Sequence, residues 1–215
     1  MDPNFARFAA VALVLVGALL VAVIMALWMV YQRLSRGISD LKAQLPGDAV
    51  NAFTQLESLL ALQQRLNFKR PLPRTRGWAA SPDFLRIVME QAMDCRPDVV
   101  VECSSGISTL ILARCAQLSG RGHVHSLEHD PEFAQKTRDL LAAEGLDRFA
   151  TVYDAPLIPL QLPGWSATWY DSKVLPAGLR IGMLVVDGPP WFVTELPRYP
   201  AVPVFLDAFE DHALV

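Results

Sequence analysis

With 215 residues the chain is long enough for one ordinary domain and an appendage. A formal net charge of −3 and a pI near 5.8 leave no basic field and argue against a general nucleic-acid binder. Cys95, Cys103 and Cys115 are an odd number without metal-ligand spacing. They read as reduced packing residues, not as a disulfide framework or a zinc site.

The mean hydropathy of +0.27 is high for a soluble domain, and one segment accounts for most of the excess. After a short tail, 1–7, the residues 8–31 carry no charge. About 24 residues make a helix of roughly 36 Å, enough to cross a hydrocarbon core of ~30 Å. Trp28 and Tyr31 fall at its end, where amphipathic aromatics favour the membrane interface. A cleaved signal peptide fits less well, because the run exceeds an h-region and no small-x-small site precedes Gln32. The segment is therefore expected to be a single transmembrane helix. Arg7 precedes it, whereas Arg33, Arg36 and Lys42 follow, so the globular part is expected in the cytoplasm.

Residues 32–77 read as a helical stalk, broken at Pro46-Gly47, and a basic, proline-rich linker, Lys69 to Arg76. Ala52, Leu56, Leu59, Gln63 and Leu66 recur at spacings of four and three. Such a stripe suits packing on the following domain or self-association through the stalk, and the favoured reading is an amphipathic spacer helix.

Residues 78–215 read as the globular domain. Ser81-Pro82-Asp83 starts a helix whose buried face is expected to hold Phe84, Ile87, Val88 and Met93. The β-branched run Asp98 to Cys103 reads as a buried strand. It is followed by Ser104-Ser105-Gly106 and a helix to about Leu118, with Ser108 as the candidate N-cap. A second strand, His123 to Glu128, leads to a helix started by Pro131 and closed by Gly145; its buried face is expected to hold Phe133, Thr137, Leu140 and Leu141. Phe149 to Tyr153 and Ile181 to Val186 are the third and fourth strands. A last helix is expected over roughly Ala201 to Asp211, with a fifth strand beginning at the chain's end and the later strands lacking.

Alternating strands and helices imply an α/β, doubly wound, Rossmann-like parallel sheet, in the order 3-2-1-4. Ligands of such sheets lie beyond the carboxyl ends of the strands. Glu102, Glu128, Asp154 and Asp187 all stand at or just past such ends. A helix start behind small residues adds free N–H groups and close backbone approach, which suits a nucleotide-like ligand. Taken alone, Glu102 reads as a turn cap and Glu128 as a rim charge; only together do they point to a ligand. His123 and His125 point to one strand face without a third ligand and read as packing or rim residues, and His129 reads as a rim residue rather than a base. Trp165, Trp169 and Tyr170 suit an acceptor pocket, a lid or the core.

Three stretches carry a resemblance: Val100 to Thr109, Ser126 to Asp130, and Leu184 to Pro190. In this order they resemble the first, second and fourth motifs of the class I S-adenosylmethionine-dependent methyltransferases, in the branch with Ser-Thr and Asp-Gly-Pro-Pro. The resemblance implies S-adenosylmethionine (SAM) as cofactor. Glu128 would accept from the ribose hydroxyls, and Glu102 would hold the methionine ammonium. Ser104, Ser105, Gly106 and Ser108 would line its passage, with Asp154 and Ala155 near the adenine. Asp187 would orient the acceptor; a divalent metal there is conceivable in this branch but not expected. The chain departs from the pattern at Ser104, where the family has its first glycine, and at Gly182, where an acid is common. The function expected is methyl transfer to a small-molecule, lipid-linked or glycan acceptor, the alternative being a degenerate module that scaffolds. Ser104-Ser105-Gly106 lacks the spaced glycines of a nicotinamide dehydrogenase.

Overall fold

The computed structural model describes residues 3–75, 77 and 79–215, with side chains from residue 15 onward apart from 16, 41 and 43–46. The first two residues of the expected tail, Arg76 of the linker and Trp78 at the expected domain start lie outside the described residues. So do the side chains of 8–14 and 16 in the expected span. The chain divides into two compact units, Met1–Phe53 and Thr54–Val215.

The first unit is helical throughout its described length, as part of α1 (Pro3–Leu66). Among the described residues, Gly17–Asp40 is the one helix long and apolar enough to cross a membrane. The helix does not break at Pro46-Gly47, contrary to the sequence expectation. A proline removes one N–H from the ladder, and in so long a helix the flanking turns carry the residue across.

In the second unit the end of α1 packs through Gln55, Ser58, Leu62 and Leu66. The stripe expected from the sequence is therefore displaced: Leu66 is buried, whereas Ala52, Leu56 and Gln63 are exposed. Arg114 closes this helix, donating from Nε to the Leu66 carbonyl at 2.8 Å and from Nη2 to that of Asn67 at 2.6 Å.

The other elements are α2 (Pro82–Cys95), β1 (Val99–Cys103), α3 (Ile107–Ser119), β2 (His123–Glu128), α4 (Pro131–Glu144), β3 (Ala150–Asp154), β4 (Leu157–Leu162), β5 (Trp165–Tyr170), β6 (Ile181–Val186), α5 (Ala201–Phe205) and β7 (Phe209–Leu214). The main sheet runs β3-β2-β1-β6-β7, and every pairing in it is parallel. The expected 3-2-1-4 order is thus present, extended by one strand. Alternation along β1 sends Val100 to the core beneath α2, α3 and α4, and Val101 and Cys103 to the opposite core. That second core is closed by Trp169, Tyr170 and Phe205.

Several local expectations shift. On α2 the buried face is Leu85, Val88, Met89 and Ala92, and Ile87 is exposed. On α4 it is Ala134, Thr137, Leu141 and Glu144, which leaves Phe133 exposed. The last helix stops at Phe205, and Phe209 already pairs with Ile181. The open backbone edge of β6 recruits this segment, and edge pairing outweighs a weak local helical pattern. The antiparallel hairpin β4–β5 was not foreseen. Its Pro163-Gly164 turn, with Gly164 at φ 75°, was the available signal.

Candidate cofactor and acceptor site

The carboxyl ends of β1, β2 and β6 open onto a cavity of about 1140 Å³. The turn after β1 forms one wall. Ser104 sits at φ +98°, a left-handed conformation that favours glycine, and is anchored at both ends. Its N–H donates to the Leu127 carbonyl at 2.9 Å, and its carbonyl accepts from the Ser126 hydroxyl at 2.7 Å. Gly106, not Ser108, is the N-cap of α3. At φ +147° it turns the chain into the helix and donates its N–H to Thr109 Oγ1 at 3.0 Å. Ser108 lies inside the first turn and is buried.

Behind this turn, Glu102 is wholly buried on the helix-covered face and does not line the cavity. Its Oε2 accepts from the Thr109 hydroxyl, and its Oε1 has no protein partner among the described residues. Burial pushes the carboxyl up to about 7, against the pull of the Ser108 and Thr109 hydroxyls.

Glu128, at the end of β2, lines the cavity and is 3% exposed. Oε1 accepts from the backbone N–H groups of His129 at 2.9 Å and Asp130 at 3.1 Å. Oε2 accepts from Ser105 twice, from N–H at 2.9 Å and from the hydroxyl at 3.0 Å. Burial would raise this carboxyl, but the bonds from His129, Asp130 and Ser105 outweigh it and hold it below the usual range. His129 Nδ1 lies 3.0 Å from Oε1, and that carboxylate raises the imidazole. Asp130 caps α4, accepting from the N–H groups of Glu132 and Phe133, and so sets Phe133 at the cavity wall.

Asp187 and Gly188 follow β6, and both backbone N–H groups donate to the Cys103 carbonyl, at 3.1 and 2.9 Å. The half-buried Asp187 carboxylate faces Arg198, whose Nη2 lies 3.3 Å from Oδ1 and donates to the Asp187 carbonyl at 2.7 Å. No group of three or more His, Cys, Asp or Glu able to hold a metal occurs among the described residues. The remaining walls come from Phe84 and from the segment that includes Trp191, Leu196 and Tyr199.

The structure thus brings Ser104, Ser105, Gly106, Ser108, Glu128 and Asp187 to one cavity, with Glu102 behind it. It does not bring Asp154 and Ala155 there. Asp154 is an exposed partner of Arg138 at 2.8 Å, and Ala155 is buried in the second core. His129, Phe133 and Arg198 belong to the site without having been assigned to it from the sequence. The N-cap Asp130 followed by Pro131 was the signal for Phe133, since it fixes which residues fall on the first turn.

The parallel sheet with helices on its faces gives this chain a Rossmann-like α/β fold. It is similar to the SAH-bound methyltransferase PaMTH1 of Podospora anserina, with a TM-score of 0.53 and 14% identity over 80% of this chain and 68% of that one. A Geobacter sulfurreducens methyltransferase follows with a TM-score of 0.46 and 17% identity, covering 74% of this chain and 70% of that one. The O-methyltransferase TomG of Streptomyces achromogenes, in complex with SAM, has a TM-score of 0.38 and 15% identity, over 63% of this chain and 53% of that one. At these identities the likeness is one of fold, and it rests on the first. No family model and no curated protein matches the sequence.

Proposed function

We propose that the chain is a membrane-anchored, SAM-dependent methyltransferase, held by the helix that includes residues 8–31, with its globular unit on the cytoplasmic side. One observation carries the cofactor reading: a buried, ionised Glu128 and the Ser104-Ser105-Gly106 turn share one cavity wall at the start of α3. The residues fit the cofactor's parts. Glu128 suits the ribose hydroxyls, and the first turn of α3 suits a carboxylate; Glu102, buried behind the turn and away from the cavity lining, is not placed to meet the ammonium. Phe133, which lines the same cavity as Glu128, suits the adenine better than Asp154 and Ala155, which lie away from it.

When bound, SAM supplies a methyl group made electrophilic by its sulfonium. The protein's part is then alignment and exclusion of water. Asp187, held by Arg198, would orient an acceptor hydroxyl or amine at the opposite wall. Against the pull of burial, the His129 imidazole beside Glu128, with the donors from Asp130 and Ser105, holds that carboxyl below its usual range. The acceptor is small-molecule, lipid-linked or glycan in class. The exposed Leu56 and Leu60 support self-association through the stalk.

A degenerate, scaffolding module is the second reading. It is favoured by the four protein donors already engaging Glu128. Turnover of radiolabelled SAM by the full chain in nanodiscs, with membrane-lipid and soluble-metabolite extracts as acceptors, separates the two. Label transfer supports the enzyme; SAM binding without transfer to any extract favours the scaffold.

A further inference from the structure

The segment after β6 exposes a cluster of large apolar side chains at the rim of the cavity. Trp191 is 80% exposed, Leu196 63% and Tyr199 56%, and all three also line the cavity. Isolated exposed apolar residues are ordinary, but large ones gathered at a ligand mouth mark an interaction surface. The cluster is structurally defined. The Trp191 ring meets that of Phe192 edge-on at 5.8 Å, and Tyr199 meets Trp165 of β5 edge-on at 5.1 Å. The only basic residue between Trp191 and Tyr199 is Arg198, and it is held by Asp187. Glu195 is the one acid in the same stretch, so its formal charge is balanced by the half-exposed Arg198, and the patch offers a partner mainly an apolar and amphipathic aromatic surface.

We propose that this segment dips into the interfacial zone of a lipid bilayer, so that the acceptor side of the cavity opens toward membrane lipid. The inference rests on the membrane-anchored reading. Trp and Tyr are the side chains that settle at the boundary of hydrocarbon and headgroups, with the ring in the apolar layer and the polar tip in the wet one. The same chain carries an apolar helix of bilayer-spanning length, so a bilayer is the apolar phase available to the patch. The acceptor class that follows is a lipid or lipid-linked molecule carrying a hydroxyl or amine near its headgroup.

The test uses the full chain in phosphatidylcholine vesicles. Cys95 is exposed, whereas Cys103 and Cys115 are buried, so Cys95→Ser gives a background for one labelled cysteine. An environment-sensitive fluorophore is placed by Trp191→Cys, and in a second protein by Glu132→Cys, on α4, whose side chain is 76% exposed. The expected result is blue-shifted emission and at least several-fold stronger quenching by headgroup-proximal nitroxide lipids at position 191 than at 132. Equal, water-like emission at both sites in chains that co-float with the vesicles overturns the inference and leaves the anchor standing. Failure to co-float overturns both. A pattern unchanged when the vesicles contain anionic lipid supports apolar insertion, whereas quenching that appears only with anionic lipid contradicts it.

Discussion

Ser105 meets Glu128 twice: backbone N–H and hydroxyl both reach Oε2, at 2.9 and 3.0 Å. A carboxylate has about four lone-pair sites, and protein donors use all of those on Glu128. A ribose hydroxyl must therefore share or displace one of these four bonds, and the Ser105 hydroxyl is the only side-chain donor among them. Ser105→Ala frees one acceptor site without touching the backbone N–H. The hydroxyl's other neighbour, Thr137 Oγ1 at 3.0 Å, keeps its own bond to the Phe133 carbonyl. The expected outcome is SAM affinity raised about threefold to tenfold by calorimetric titration, the scale of one exchanged hydrogen bond. Weaker binding would mean that Ser105 itself holds the cofactor.

Glu102 makes stability depend on pH in an uncommon direction for a carboxylate. Its folded value is raised from 4.5 to about 7, so the folded state holds a proton that the unfolded state has released. Stability from this group is complete below the unfolded value and falls as pH rises through the folded one. Glu102→Gln is expected to flatten that fall and to stabilise the protein at pH 8 by about 2–3 kcal/mol. Denaturant unfolding at pH 5 and pH 8 reads it directly. If the variant retains the parent's pH slope, another group is responsible.

Ser104 carries the strain of a glycine position. Ser104→Gly removes a side chain from φ +98° and is expected to stabilise by about 1 kcal/mol, the balance of relieved strain against greater chain entropy. A thermal midpoint that falls by several degrees would show that the Ser104 side chain makes a contact worth more than its strain.

Gly188 has no room for a methyl group. A Cβ there would lie 2.3 Å from Tyr170 Oη and 2.9 Å from Ser104 Cβ. Gly188→Ala is expected to cost about 1–3 kcal/mol by overpacking. Because one clash is with a hydroxyl, adding Tyr170→Phe should recover part of the loss, and Ser104→Gly more. Full stability in Gly188→Ala alone would mean the turn yields freely.

The strands β1 and β6 were legible because each is an apolar run closed by an acid, Val99 to Glu102 and Ile181 to Asp187, whereas β2 and β3 are mixed and were placed by the turns and helix starts around them. Local chemistry also showed the turn after β1, since few residues other than small ones tolerate its backbone. Helix faces were displaced wherever two candidate stripes competed. On α2, Ile87 and Leu85 are equally apolar, and only the position of α3 decides that Leu85 is buried. The hairpin β4–β5 was obscured by Pro159, which weakens a strand reading although it is accommodated opposite Thr168. Arg198 and Phe84 could not be read into the site, because their place depends on segments far apart in sequence meeting at one cavity.

Calorimetric titration of SAM into the full chain in nanodiscs, comparing Glu128→Ala with Asp154→Ala, tests the central claim most directly. The cofactor should bind the parent in the micromolar range. Glu128→Ala should weaken it by about tenfold or more through loss of charge-assisted bonds, and Asp154→Ala, whose carboxylate faces Arg138 outside the cavity, should leave it unchanged. Absence of binding to the folded parent, or a loss confined to Asp154→Ala, would contradict the account.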